Sequence, residues 1–176
     1  MDNNGKISTS IQYQLTNVKL FNEVFANWGN FNSRLSAGPE EMKKYLVELW
    51  NTVKEKLKDN EKLELKDINK VVTEADFNVT VNKTNKGTNV FFISFPDYEY
   101  TDGACKYVAL ALTPNMPKYF TLEYSKHAME NTPCWVVGEW VIENSNSEHK
   151  NYGTVDNMRI EWFAGFIINK LNSENL

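Results

Sequence analysis

Phe77-Asn78-Val79-Thr80-Val81-Asn82 alternates apolar and polar side chains, and after the polar stretch Lys83 to Gly87 the run Val90-Phe91-Phe92-Ile93-Ser94-Phe95 answers it. A period of two places every second side chain on the same face of a strand, so two such runs around a short glycine-containing link read as a β-hairpin. Pro96, which lacks an N–H to donate, ends the second run.

Outward from this hairpin the same logic continues. Lys106 to Thr113 and Tyr119 to Tyr124 are strand-like runs separated by Pro114-Asn115-Met116-Pro117, a turn signal, and they form a second hairpin. A fifth run, Cys134 to Ile142, places Trp135, Val137 and Val141 on one face and Val136, Trp140 and Ile142 on the other, with Gly138 as a candidate bulge. Asn144 to Glu148 reads as a solvated loop, and His149 to Tyr152 as a short sixth strand.

Helical periodicity flanks this block. Ile11, Leu15, Val18, Phe21, Phe25 and Trp28 recur every three or four residues, and Gly29 stops the pattern. Pro39 to Lys58 carries the stripe Met42, Tyr45, Leu46, Leu49, Trp50, Val53 and Leu57, with Pro39 at a helix start and acidic residues in its first turn. Asp59 to Asp76 is charged, and Leu65, Ile68, Val72 and Ala75 fit a short helix capped by Asp67. Val155 to Leu171, with Trp162, Phe163, Phe166 and Ile167, is the final helix, capped by Thr154.

Consecutive strands with short links pair as an antiparallel meander. The fold expected is therefore α+β: an antiparallel sheet of five or six strands covered on one face by N-terminal helices and a C-terminal helix, a two-layer sandwich. The expected organisation is a flexible start at 1–10, one domain at 11–172 and a flexible end at 173–176. At 176 residues, 41% hydrophobic and 13% aromatic, the chain has the apolar area for a sizeable core.

Charge narrows the partners. A net charge of -4, a pI near 5.3 and only two arginines, Arg34 and Arg159, argue against sequence-independent binding of nucleic acid, which needs clustered cations to displace counterions. Abundant Asn and Lys beside so few Arg implies AT-rich coding, as in many bacteria. Met1 to Ser10 is polar and no run reaches the length of a membrane span, so a cytoplasmic protein without membrane attachment is expected.

The sequence contains no phosphate-cradling glycine loop, nucleophile elbow, HExxH or paired CxxC. Cys105, His127, Cys134 and His149 have the donor chemistry of a zinc shell, but gaps of 22, 7 and 15 residues are unlike the close pairs of structural sites. Cys134 with His149 and Glu139 or Asp156 would compose a thiol nucleophile, base and orienting carboxylate, yet Cys134 leads into the apolar Trp135-Val136-Val137. Both cysteines read as buried thiols, and no metal or cofactor is expected. Lys150 and Arg159 flank the start of the last helix, where backbone amides can receive an anion.

The densest recognition chemistry lies in the loop between the second and third strands. There Asp97, Tyr98, Glu99, Tyr100 and Asp102 combine carboxylates that attract a basic protein with phenols that supply contact area. A hard cation on Asp97, Glu99 and Asp102 lacks the ligand order of a calcium loop. The run Lys118 to Glu123 and the later Gly138-Glu139-Trp140 resemble segments of small bacterial α+β proteins, immunity-like ones among them. The expected function is a non-enzymatic protein-binding module, immunity-like or regulatory. The alternative is a small-molecule binder or enzyme with a pocket between the sheet and the C-terminal helix, where Trp28, Trp50, Trp135, Trp140 and Trp162 could meet.

Overall fold

The computed structural model describes residues 38–57, 71–94, 105–111, 118–129, 132–143, 146–155 and 159–176. The helix read at Ile11 to Trp28 and the segment read as capped by Asp67 lie outside them, apart from a short 3-10 turn at Glu74–Asp76. Helix α1 spans Pro39–Leu57. Six strands follow, β1 (Asn78–Lys83), β2 (Asn89–Ser94), β3 (Cys105–Ala111), β4 (Lys118–Met129), β5 (Thr132–Glu143) and β6 (Asn146–Val155), and helix α2 (Ile160–Ser173) ends the chain order. The strands form one antiparallel sheet in sequence order, β1-β2-β3-β4-β5-β6. No described helix is long and apolar enough to cross a membrane.

Local chemistry sets these elements. Gly38, at φ +110°, turns the chain into α1, and its carbonyl accepts the Met42 N–H at 3.2 Å. Met42, Leu46, Leu49 and Trp50 form the buried stripe, while Lys43 and Lys44 pair with Glu40 and Glu41 at the surface, where such pairs contribute little. The β1–β2 link closes with Gly87 at φ +82°, its N–H donating to the Thr84 carbonyl at 2.9 Å. The next amide in the link, that of Asn85, donates to Asn172 Oδ1 at 2.8 Å, tying the hairpin to α2.

The antiparallel meander is as the sequence reads, but several limits and one cap differ: β4 runs on to Met129 where the sequence reading ended it at Tyr124, and β5 extends at both ends beyond the run Cys134 to Ile142. β6 is ten residues long and takes in 146–148, because the β5–β6 pairing runs from Glu143↔Asn146 onward. Thr154 lies within β6, and α2 begins at Ile160 after Arg159, with no side-chain cap. The end of α2 is closed instead by Asn175, at φ +63°, whose N–H donates to the Asn172 carbonyl while that of Leu176 donates to the Leu171 carbonyl at 2.9 Å. This left-handed cap brings the half-buried Leu176 back over the core beside Leu171.

Both faces of the central strands are buried. Phe91 and Phe92 point to opposite faces and are both sealed, as are Ile93, Ala109, Leu110, Tyr119 and Phe120. The one-sided covering of a two-layer sandwich is therefore not what β2, β3 and β4 display. The register puts Phe91, Ile93, Val108 and Leu110 on one face, and Phe92, Tyr107, Ala109, Phe120 and Leu122 on the other. Helix α2 covers the second of these: Phe163 meets Phe92 edge-on at 6.1 Å and stacks on Tyr107 at 5.8 Å. Ala109, between them in the register, leaves room for that ring.

Phe163→Ala should lower the unfolding free energy by about 3–5 kcal/mol in chemical denaturation, because it empties the contact between α2 and the sheet. Val71→Ala, at a residue 77% exposed, should change it by no more than about 0.5 kcal/mol.

Candidate functional site

Two strand irregularities decide which polar side chains meet. Between Cys105 and Tyr107 the β3–β4 register shifts, so that Cys105 faces Glu123 and Tyr107 faces Leu122, with Lys106 the extra residue. Between Val137 and Gly138 the β5–β6 register shifts as well: Val137 faces Gly153, Gly138 faces Asn151, and Tyr152 is extra. Gly138 does mark a bulge, but the inserted residue belongs to β6. Gly153 takes φ +122° there, and its N–H donates to Asn151 Oδ1 at 2.7 Å.

Beside the second bulge lies the most concentrated polar group among the described residues. Glu139 shares a face with Trp135 and Val137 and is fully buried. Two residues on from Lys150, which pairs with Glu139, Tyr152 lies on the same face and donates its O–H to Glu139 Oε2 at 2.6 Å. Lys118 places Nζ 3.2 Å from Glu139 Oε1, an ion pair that lies off a hydrogen-bond axis, and 3.3 Å from Glu174 Oε2. Lys170 lies 3.8 Å from Glu174 Oε1 and 3.8 Å from the centre of the Tyr152 ring. The group thus joins β4, β5, β6 and the end of α2.

Its electrostatics favour holding over reacting. Burial pulls the Lys118 ammonium down, but Glu139 and Glu174 outweigh it and the net shift is upward, so the amine stays charged. Burial and the hydrogen bond to Glu139 push the Tyr152 phenol up, so it stays neutral. A lysine and a tyrosine so held are poor nucleophiles and poor bases.

The thiols are similar. Cys105 is fully buried, its Sγ 3.2 Å from the Tyr107 carbonyl, and burial followed by the Glu123 carboxyl pushes it well above the usual thiol range. Cys134 is also buried and free. His149 faces Trp140 on β5, six residues along that strand from Cys134, a separation of roughly 20 Å at the rise of an extended strand. The register therefore excludes Cys134 and His149 as a nucleophile–base pair, and excludes a single zinc shell containing both. Among the described residues no three His, Cys, Asp or Glu side chains converge as metal ligands.

Asp97, Tyr98, Glu99, Tyr100 and Asp102 lie outside the described residues. Sequence reasoning gave Glu139 a chemical role only as a partner for Cys134, named Lys118 and Tyr152 without pairing them with it, and missed Lys170 and Glu174. A signal was present, since Glu139 continues the face of Trp135 and Val137, where a charge needs a partner. No family model, curated protein or solved structure matches the chain.

Removing Lys118 should cost more than neutralising Glu139, because Glu139 is sealed while the Lys118 side chain, 32% exposed, can rehydrate. Denaturant titration should give a loss of roughly 2–4 kcal/mol for Lys118→Met, as for a broken buried pair. Glu139→Gln, which keeps an acceptor for Tyr152, should lose about 1 kcal/mol. The reverse order would mean that the ion pair is not what anchors this group.

Proposed function

We propose that the chain is a non-enzymatic protein-binding module, immunity-like or regulatory, which contacts a basic protein through the acidic and aromatic loop Asp97 to Asp102. The observation that carries this reading is the direction of the shifts among the reactive groups. Cys105, Tyr152 and Lys118 are each driven toward the protonated form, and the Tyr119 phenol, pushed up by burial first and then by Glu123 and Cys105, joins them. Nucleophilic sites instead lower the pKa of a thiol or amine toward the working pH; of the shifted groups only the Glu123 carboxyl, pushed up to about 7, moves toward neutrality, and the thiol that faces it, Cys105, is itself held protonated. The loop chemistry and the net charge of -4 supply the partner: carboxylates speed encounter with a cationic surface and tyrosines fill its pockets.

The competing reading, a ligand pocket between the sheet and α2, has less support. Phe163, Ile167 and Leu171 are buried in the same cluster as Phe92 and Tyr107, and the ring contacts of Phe163 fill that space with side chains. Trp162 stacks on Phe166 at 5.5 Å on the same helix.

With the purified chain as bait, the captured partner should be a basic protein whose retention falls as salt rises from about 0.05 to 0.5 M, since exposed charges are screened over that range. Changing Asp97, Tyr98, Glu99 and Tyr100 together to alanine should abolish its capture while leaving thermal unfolding unchanged. A partner held equally by that variant, or turnover of a substrate by the unmodified chain, would overturn the reading.

A further inference from the structure

The sheet ends in two edge strands, β1 and β6, and among the described residues each pairs on one side only. An open edge presents unpaired backbone groups that another strand can join, and proteins block it with bulges, prolines, charges or a covering element. β6 is blocked, since its register breaks at the bulge and Gly153 takes φ +122° within it. β1 has no such device. Its pairing with β2 is unbroken from Asn78↔Ser94 to Lys83↔Asn89, it contains no proline, and its one charge, Lys83, stands at the end. Val79 and Val81 are half-buried against the core, whereas Asn78, Thr80 and Asn82 on the opposite face are exposed.

The link after β1 fixes which backbone groups point outward. The Thr84 N–H donates to the Thr88 carbonyl at 3.0 Å, so Thr84 turns its backbone toward β2, and the alternation of an antiparallel ladder turns Asn82, Thr80 and Asn78 the same way. Val79, Val81 and Lys83 therefore aim their N–H and C=O groups out of the sheet, where no described residue meets them. The two ends of this edge carry opposite charge. Glu74 and Asp76 precede β1, Lys83 closes it, and Lys86 follows in the link. Glu74, Lys83 and Lys86 are exposed and have no ion-pair partner among the described residues.

We propose that β1 is a self-association edge: a second copy of this chain pairs its own β1 antiparallel to it about a twofold axis at Thr80, joining the two sheets into one. In that register Val79 stands opposite Val81 of the second copy and exchanges both backbone hydrogen bonds with it, while Thr80 meets its own counterpart. The same arrangement sets Glu74 and Asp76 of each copy beside Lys86 and Lys83 of the other. A parallel copy would bring like charges together. This charge complementarity is what selects a second copy over an unrelated strand.

The test is sedimentation velocity of the purified full chain across a concentration series at low salt. The mass should rise from 20.4 kDa toward twice that value with concentration and fall back as salt is raised. Val81→Pro removes one outward N–H and no bond to β2, so it should fold yet stay at 20.4 kDa. Should Val81→Pro not fold, charge reversal decides. Glu74→Lys alone and Lys86→Glu alone each set like charges against one another in the pair, and each should raise the dissociation constant by roughly tenfold. Mixing those two variants should restore association, because every contact between them is then between opposite charges. An unmodified chain that stays at 20.4 kDa throughout overturns the proposal and leaves the edge to a strand of another protein. A dimer that neither Val81→Pro nor the charge reversals weaken overturns it as well.

Discussion

The constraint on which the structure depends is that the middle of the sheet has no solvent face. Adjacent residues such as Phe91 and Phe92, or Leu110 and Ala111, point in opposite directions and are all buried. Each such strand contributes hydrophobic stabilisation on both sides, and each polar side chain placed in it must find a partner or become neutral. Glu139 meets that requirement with an ammonium and a phenol, while burial pushes the Glu123 carboxyl upward.

Two bulges accompany these groups. In an unbroken ladder Cys105 would share a face with Tyr107 and lie under α2. One extra residue in β3 reverses that placement, since a one-residue shift moves a side chain to the other face, and one in β6 shifts the pairing from Gly153 onward while Tyr152 keeps the face of Lys150 and Glu139. The same insertions interrupt the pairing, and both occur where a polar group has to be accommodated. Around them the Lys118 amine, the Cys105 thiol and the Tyr119 and Tyr152 phenols are all pushed toward their protonated forms.

Much of the scaffold was legible in advance. The stripe of Met42, Leu46, Leu49 and Trp50 announces α1, and alternation in Phe77 to Asn82 announces β1, because these patterns follow from the geometry of one element meeting a core. The hairpin at Gly87 and the order of the strands were equally readable. Less was visible where an element's limit depends on a neighbour. Thr154 has the chemistry of a helix cap, but pairing with Val136 keeps it in β6, and β6 extends back to Asn146 because β5 is long enough to pair with it. The group at Glu139 was legible only as an oddity, a charge on an apolar face, since its partners come from β4, β6 and α2, up to 35 residues away in the chain at Glu174.

By itself, then, the sequence determined the strands, the helices and the antiparallel order, because periodicity and turn chemistry act over a few neighbouring residues. It also determined the acidic charge and the absence of familiar catalytic motifs. Only the tertiary structure decided that the sheet is buried on both faces, that Tyr152 reaches Glu139, and that Cys105 faces Glu123 while His149 lies far from Cys134. Those outcomes depend on register across strands, which is fixed by packing of the whole sheet and which no single strand encodes.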